Sequence, residues 1–313
     1  MSVPGEIVLH VGPARAAWWQ RRLSELLPGT PVRLWDAVPD PAAVTAAVVW
    51  KHPPGGLRRF PALRVIVSIG AGVDHVLADP DLPPGVPLLR ITGEDLTQRM
   101  TEYVVWQVLA LHRRGWELAA ARAAREWRQI VTPVAGRRGV GIMGLGRLGG
   151  AAARALAGLG FRVHGWARTP RDIPGVTCHA GAGELDAFLA ASEILVCLLP
   201  LTPATEGILN RDLFARLPRG AALVNAARGG HLVEEDLIPA LDQGLLCRAV
   251  LDVARIEPLP TDHPFWADPR IDITPHVASL IDPDTGARLI AENLRRFFAG
   301  EKLSDLIDPA RGY

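Results

Sequence analysis

Residues 139–149 read Gly-Val-Gly-Ile-Met-Gly-Leu-Gly-Arg-Leu-Gly, and no other stretch narrows the possible folds as far. A short apolar run enters a G-x-G-x-x-G turn at Gly144, Gly146 and Gly149, and the Ala-rich stretch Ala151–Ala157 then favours helix. Strand, glycine turn and helix in that order form a dinucleotide-binding fingerprint. The first glycine permits the tight turn, the second lets a pyrophosphate approach the backbone, and the third lets helix and strand pack closely. The intervening Leu145, Arg147 and Leu148 line the same turn. Phosphates bind there because a helix N-terminus offers unpaired N–H groups and the positive end of its dipole. A glycine-rich turn without a ligand is the plain alternative, and the matching flanks argue against it.

The rest of the chain sets few limits. Its 313 residues are enough for two domains. Net charge is +1, with Lys and Arg scattered, so no general field attracts nucleic acid. The first ten residues lack a basic leader and a cleavage pattern, and no apolar run is long enough to cross a bilayer. Cys178, Cys197 and Cys247 are odd in number and far apart, which indicates neither a disulfide framework nor a zinc site. Cys197 sits in an apolar run and reads as a core residue. The other histidines, His10, His52, His75, His112, His164, His179, His231 and His263, show no ligand pairing, so no metal is expected. A reducing cytoplasm fits these features.

Apolar strand candidates alternate with helical stretches, the pattern of parallel α/β domains. In the first third they are Ile7–Val11, Val32–Trp35, Val48–Trp50, Arg64–Ile69 and Val86–Arg90. A second series runs Val140–Met143, Arg162–Trp166, Ile194–Leu199, Ala222–Asn225, Ala249–Val253 and Ile271–Thr274. The expected fold is therefore α/β with two doubly wound parallel sheets. Thr101–Trp127 is rich in Ala, Leu, Arg and Glu and reads as a long helix or a broken helical pair connecting the halves. Asp284–Gly300 is helical in pattern, with Leu289, Ile290, Leu294 and Phe297 or Phe298 on one side. The pairs Arg113-Arg114 and Arg137-Arg138 read as solvated, and the Pro-rich pieces 53–54, 80–87 and 258–264 as surface loops.

The second strand of the fingerprint unit identifies the dinucleotide. A carboxylate at its end binds the ribose 2′-hydroxyl of NAD. Here Arg162–Trp166 runs instead into Ala167-Arg168-Thr169-Pro170-Arg171. A carboxylate would repel a 2′-phosphate, whereas a guanidinium binds it through charge-assisted, bidentate hydrogen bonds. Ala167, Arg168, Thr169 and Arg171 thus point to NADP(H); a solvated arginine pair is the alternative.

Three further strands carry polar residues just past their ends, where open α/β sheets bind ligands. Ala222–Asn225 leads to Arg228, Ala249–Val253 to Glu257, and Ile271–Thr274 to His276. Hydride exchange at a 2-keto acid needs a fixed cation for the carboxylate and carbonyl, and the planar fork of Arg228 suits that. It needs a proton donor for the carbonyl oxygen, and an imidazole titrating near neutrality suits that at His276. A carboxylate neighbour keeps such an imidazole protonated and oriented, and Glu257 is the candidate. Each residue alone has an ordinary structural explanation; their placement after three successive strands is what gives them weight.

In the contexts Asn-Ala-Ala-Arg-Gly, Glu-Pro-Leu-Pro and Thr-Pro-His, these residues make the chain resemble the D-isomer-specific 2-hydroxyacid dehydrogenases over nearly its whole length. Within that family it looks most like the bacterial glyoxylate/hydroxypyruvate reductases of the A type. Val140–Gly149, Trp166–Pro170, Leu198–Thr202, Leu251–Val253 and the terminal Ala310–Tyr313 add to the likeness. The resemblance implies a flavodoxin-like substrate domain built from 1–98 and 279–313. It implies an inserted Rossmann-type NADP-binding domain, 99–278, that includes connecting and dimer-contact helices over 99–135. It also implies a homodimer, with Trp127 projecting toward the partner's pocket, and domains that close on the cofactor.

The resemblance also gives roles to other positions. Ser68–Asp74 is similar to the family's substrate loop, so Ile69, Gly70, Ala71 and Gly72 are expected to bind substrate through a nest of backbone N–H groups. Trp50 is similar to a tryptophan near the substrate. Leu199, Pro200 and Thr202 lie where the family brushes the adenosine side, and Ala226 and Ala227 on the cofactor path. Asp252 matches a position near the nicotinamide amide, with a strand-end cap as the alternative. The chain departs from the family pattern at Ala254-Arg255-Ile256 and at Val277–Leu280, which leaves the exact acid open. The resemblance implies NADPH-dependent reduction of a small 2-keto acid, glyoxylate or hydroxypyruvate, to glycolate or a D-2-hydroxy acid. The rival readings are a dehydrogenase for a larger aryl or branched acid, and a non-catalytic cofactor sensor on the same fold.

Overall fold

The computed structural model describes residues 3–303 and 306–307; the terminal match Ala310–Tyr313 lies outside the described residues. The chain divides into two compact units, Met1–Leu96 with Ile281–Tyr313, and Thr97–Leu280. The second unit is thus inserted, in chain order, between two segments of the first.

The first unit holds β1 (Glu6–His10), α1 (Pro13–Leu26), β2 (Val32–Leu34), β3 (Val44–Val49), β4 (Val65–Ser68), α2 (Asp74–Leu77) and β5 (Leu88–Arg90). All strand pairs within this sheet are parallel, and the order β2-β1-β3-β4-β5 is the flavodoxin-like one, with its switch point between β1 and β3. β3 and β4 are buried nearly throughout, as expected of parallel strands covered on both faces. β3 starts at Val44, four residues before the expected Val48, because Ala46 and Ala47 carry little strand preference of their own and break the apolar β-branched run. α3 (Glu94–His112) begins in this unit and runs into the next.

The second unit continues with α4 (Gly115–Ala123), β6 (Gly139–Met143), α5 (Arg147–Gly158), β7 (Arg162–Ala167), β8 (Val176–Ala180), α6 (Leu185–Ala190), β9 (Ile194–Cys197), α7 (Arg211–Ala215), β10 (Ala221–Asn225), α8 (Glu234–Asp242), β11 (Leu246–Leu251) and β12 (Ile271–Ile273). Its sheet is also parallel, in the order β12-β11-β10-β9-β6-β7-β8, with the switch point between β6 and β9. The connector is the broken pair: α3 stops at His112, Arg114 takes φ +54°, and α4 ends at Ala123, short of Trp127. Arg138 is not simply solvated. It is half-buried and ion-paired with Glu193 beside the start of β6. β8 was not among the expected strands. It is an edge strand, only half-covered, so no apolar run marks it.

The chain returns to the first unit as α9 (Pro283–Phe298). Asp282 caps it by accepting from the Thr285 N–H at 2.9 Å, and Pro283 occupies its first turn. Its buried stripe includes Ala287, Ile290, Ala291 and Leu294, all fully enclosed. α9 lies against α1, where Trp19 abuts Gly286 and Arg22 pairs with Asp284 at 2.6 Å. Among the described residues, no helix is long and apolar enough to cross a membrane.

Candidate active site

The turn after β6 has the shape its glycines predict. Gly144 takes φ +101°, and a Cβ there would meet the Leu198 carbonyl oxygen at 2.7 Å. A Cβ on Gly149 would stand 1.8 Å from the Gly144 carbonyl oxygen, so helix α5 can approach its own strand only without one. Gly146 is different: a Cβ there would meet nothing within 4 Å. It is exposed and sits at the N-cap of α5, with no side chain capping the first-turn N–H groups. Open space before uncapped donors at a helix N-terminus fits a pyrophosphate. Leu145 turns its side chain inward against Gly165, and Leu148 packs on the core, so only their backbone faces this turn.

β7 ends beside it, because β7 pairs with β6. Ala167 is buried, while Arg168, Thr169 and Arg171 are exposed past the strand end. No carboxylate stands among 167–171. On the other side of the switch point, β9 leads into Leu199, which is buried, and into Pro200 and Thr202. The Thr205 hydroxyl donates to the Pro200 carbonyl at 2.7 Å and accepts from the Thr202 N–H at 2.9 Å, which fixes that loop.

β10, β11 and β12 are neighbours, so their carboxyl ends lie side by side. Past β10, Ala226 and Ala227 are buried and Arg228 emerges half-buried, with its guanidinium donating to the Ala227 carbonyl at 2.7 Å. The Asn225 side chain donates to the Arg228 carbonyl at 3.0 Å and accepts from the Ala227 N–H at 3.2 Å, which holds the bend that presents the arginine. Gly229 then passes so close to the segment after β11 that a Cβ would fall 2.0 Å from the Ala254 carbonyl carbon. That contact sets the Arg228 loop against the loop carrying Glu257. The Glu257 carboxylate oxygens lie 3.0 and 3.2 Å from Nδ1 of His276. The ring keeps a third of its surface exposed. A carboxylate on Nδ1 fixes the imidazole's orientation and leaves Nε2 for a reacting group.

His276 is one of four described non-glycine residues with positive φ, at +54°. Such backbone is rare outside glycine and persists where surrounding contacts enforce it. Here its N–H donates to the carbonyls of Asp252 at 2.8 Å and Thr274 at 3.0 Å. The Asp252 carboxylate accepts the next two N–H groups, from Val277 and Ala278, both at 2.9 Å. It also accepts the Thr274 hydroxyl at 2.6 Å. These bonds give Asp252 a capping role at the strand end and do not bear on its expected place near the nicotinamide amide. Burial pushes its carboxyl up from the usual range against these stabilising bonds.

Sequence reasoning missed the residues beneath this surface. Tyr103 on α3 reaches Thr274 with its hydroxyl at 2.7 Å. His231, fully buried, stands with its ring nitrogens 3.1 Å from the Arg228 carbonyl and 3.3 Å from that of Pro200, bridging two loops of the site. Its position three residues past the arginine was the one available signal.

In the first unit, the ring of Trp50 covers Gly70 so closely that a Cβ there would meet it at 2.6 Å, and it packs on His75 with centroids 4.3 Å apart. Two N–H groups of the expected nest have partners within the chain. The Ile69 N–H donates to Val49 at 3.2 Å and the Gly70 N–H to the Ser68 hydroxyl at 3.3 Å. Ala71 and Gly72 are the remaining half-buried members of that loop.

Residues 105–278 match the family described as D-isomer specific 2-hydroxyacid dehydrogenase, NAD binding domain. A glyoxylate/hydroxypyruvate reductase A of Serratia proteamaculans is 42% identical over 300 residues, covering 94% of this chain and 96% of the relative. The chain belongs to the D-isomer specific 2-hydroxyacid dehydrogenases. A family member from Xanthobacter autotrophicus, solved in complex with NADPH and MES, superposes with a TM-score of 0.93 at 41% identity, covering 99% of this chain and all of that one. An NADPH-dependent glyoxylate/hydroxypyruvate reductase of Sinorhizobium meliloti, solved with NADP and sulfate, superposes at 0.89 with 40% identity, 99% of this chain and all of that one.

Proposed function

We propose that this dehydrogenase reduces a small 2-keto acid, glyoxylate or hydroxypyruvate, with NADPH, giving glycolate or the D-2-hydroxy acid. The observation that carries the reading is the His276–Glu257 pair at 3.0 Å, set past one of three adjacent strand ends with Arg228 on another. NADPH supplies the hydride that goes to the carbonyl carbon. His276, oriented by Glu257, gives its proton to the carbonyl oxygen, so the keto acid gains one hydride and one proton and leaves as the hydroxy acid. Arg228 offers a fixed guanidinium for the substrate carboxylate and the polarised carbonyl. Trp50 and the loop Ile69–Gly72 are assigned to substrate. The fingerprint turn, the residues Arg168, Thr169 and Arg171, and the Leu199–Thr202 and Ala226–Ala227 segments are assigned to NADP(H).

The names and bound coenzymes of the Serratia, Xanthobacter and Sinorhizobium proteins support the reaction and the coenzyme. A second copy of the chain is the proposed partner. Trp127, Val131 and Val134, in the segment after α4, are 96%, 95% and 71% exposed, an apolar run that a dimer contact would cover. A reducing cytoplasm suits the three free thiols, of which Cys197 is pushed up to about 12 by complete burial.

Steady-state kinetics on glyoxylate, hydroxypyruvate, pyruvate and phenylpyruvate with each coenzyme test the reading. The two small acids should give the highest kcat/KM. NADPH should exceed NADH on the order of 10²-fold, the value of a charge-assisted bond to the 2′-phosphate. Phenylpyruvate as the best substrate would mean a larger-acid dehydrogenase. Coenzyme binding with no turnover on any of them would mean a cofactor sensor.

A further inference from the structure

The left-handed turn that carries His276 is held from below by a chain of hydrogen bonds that starts on a different element. Asp252, 2% exposed, accepts from the Thr274 hydroxyl at 2.6 Å and from the N–H groups of Val277 and Ala278. The single hydroxyl proton of Thr274 is committed to that carboxylate. The 2.7 Å contact between Tyr103 and Thr274 therefore runs one way, with the phenol donating and Thr274 accepting. The Gln107 side chain, also buried on α3, bonds the same phenol. The direction is fixed along the whole chain: Gln107 and Tyr103 on α3, then Thr274 past β12, then Asp252 past β11. Nothing in the reaction needs Tyr103 at the reacting atoms, and 171 residues separate it from Thr274.

We propose that Tyr103 and Thr274 are positioning residues for the reduction: their relayed hydroxyls orient the Asp252 carboxylate, which clamps the backbone turn that aims His276. The proposal rests on the reductase reading above, because it concerns how the proton donor is held. Oriented hydroxyls polarise one another along such a chain, so each bond stabilises the ionised form of Asp252. Removing the phenol oxygen leaves the Thr274 hydroxyl without its donor and weakens its hold on the carboxylate. Asp252 then takes up a proton at a higher pH, loses an acceptor site for the turn, and releases the His276 backbone. The charged and titratable groups near this chain are Tyr103 on α3, Asp272 on β12, and His276 with its partner Glu257. Arg99 and Glu102 of α3 line the surface hollow above Tyr103, together with Val277.

The test is the pH profile of kcat and kcat/KM for glyoxylate with NADPH, in wild type, Tyr103→Phe, Thr274→Val and Thr274→Ser. Tyr103→Phe keeps the ring and its packing. It should lower kcat about tenfold and move the acid limb up by about one pH unit, the size of one net hydrogen bond. Thr274→Val should move that limb further, and Thr274→Ser, which keeps the hydroxyl, should restore most of the wild-type profile. The alkaline limb should stay in place, as should KM for NADPH. An unmoved acid limb in both Tyr103→Phe and Thr274→Val would overturn the proposal. So would a uniform loss across all pH values accompanied by a lower melting temperature, which is the mark of a packing defect. A wild-type protein without turnover on either small acid would overturn the reductase reading and the proposal together. A normal wild type with unaltered variants would overturn the proposal alone.

Discussion

Asp79 shows how one residue fixes a loop and makes the first unit sensitive to acid. Its side chain is 3% exposed. It accepts from the N–H groups of Gly55 and Asp81 at 2.9 Å and lies 3.0 Å from Nε2 of His52, which is itself fully enclosed. Nδ1 of His52 has no hydrogen-bond partner among the described residues, so the ring is best held neutral, donating from Nε2; a buried imidazolium would leave an N–H unsatisfied. Burial lowers the His52 pKa despite Asp79. Burial alone would raise the Asp79 carboxyl, but the bonds from Gly55, Asp81 and His52 together bring it below the usual range. Both groups bind a proton more readily when unfolded. Their stabilisation is complete above the unfolded values. The His52 share fades as pH falls below about 6.5, and the Asp79 share as pH falls below about 3.9. Asp79→Ala strands the donors around it and should lose about 3 kcal/mol at neutral pH. In thermal melts the variant should also lack the further loss of stability that the wild type shows as pH falls below about 3.9. Parallel pH curves for the two proteins would refute this.

Residues of this kind are invisible in the sequence. Arg228, Glu257 and His276 could be read because a reactive side chain just past an apolar strand is unusual, and three in succession follow one glycine turn. Tyr103, Thr274, His231 and Asp79 carry no such mark. Each is bonded to partners between 2 and 171 residues away, and an ordinary tyrosine in an amphipathic helix looks like packing until that partner is seen.

At the scale of elements, the sequence is most informative where local chemistry and tertiary demand agree. β4, β6, β9 and β10 are enclosed on both faces, so they had to be nearly continuous apolar runs, and they were legible as such. The edge strand β8 pairs with β7 on one side only and has no apolar signature. The start of β3 was hidden for a related reason, since its alanines suit a sheet only because α/β layers bury them. Boundaries in the connector depended on backbone conformation rather than composition. Arg114 and Arg125, at φ +54° and +58°, end helical runs that Ala, Leu, Arg and Glu would otherwise prolong. Glycines explain the close contacts between elements. Gly149 seats α5 on β6, and Gly229 brings the loops after β10 and β11 together. The first was read from its motif, whereas the second lies in Arg-Gly-Gly, where nothing in the sequence says which neighbour it must admit.

At the scale of the whole molecule, both parallel sheets follow from the alternation of strand and helix, the family supplies the chain's order of insertion, and the strand orders with their switch points come from the structure. What alternation does not encode is assembly. The exposed Trp127 segment leads us to expect a dimer in sedimentation velocity, and a raised KM for the keto acid in Trp127→Ala. A single-chain mass with unchanged KM would argue against it. The proposed chemistry depends on a guanidinium and a carboxylate-paired imidazole acting on one substrate. Turnover of glyoxylate by Arg228→Ala and His276→Ala, with NADPH binding followed separately by fluorescence, addresses this directly. Arg228→Ala should raise KM and lower kcat, cutting kcat/KM on the order of 10²-fold. His276→Ala should lower kcat by about 10²–10⁴-fold with KM little changed. Both should still bind NADPH. Near-wild-type turnover in both variants would contradict the site.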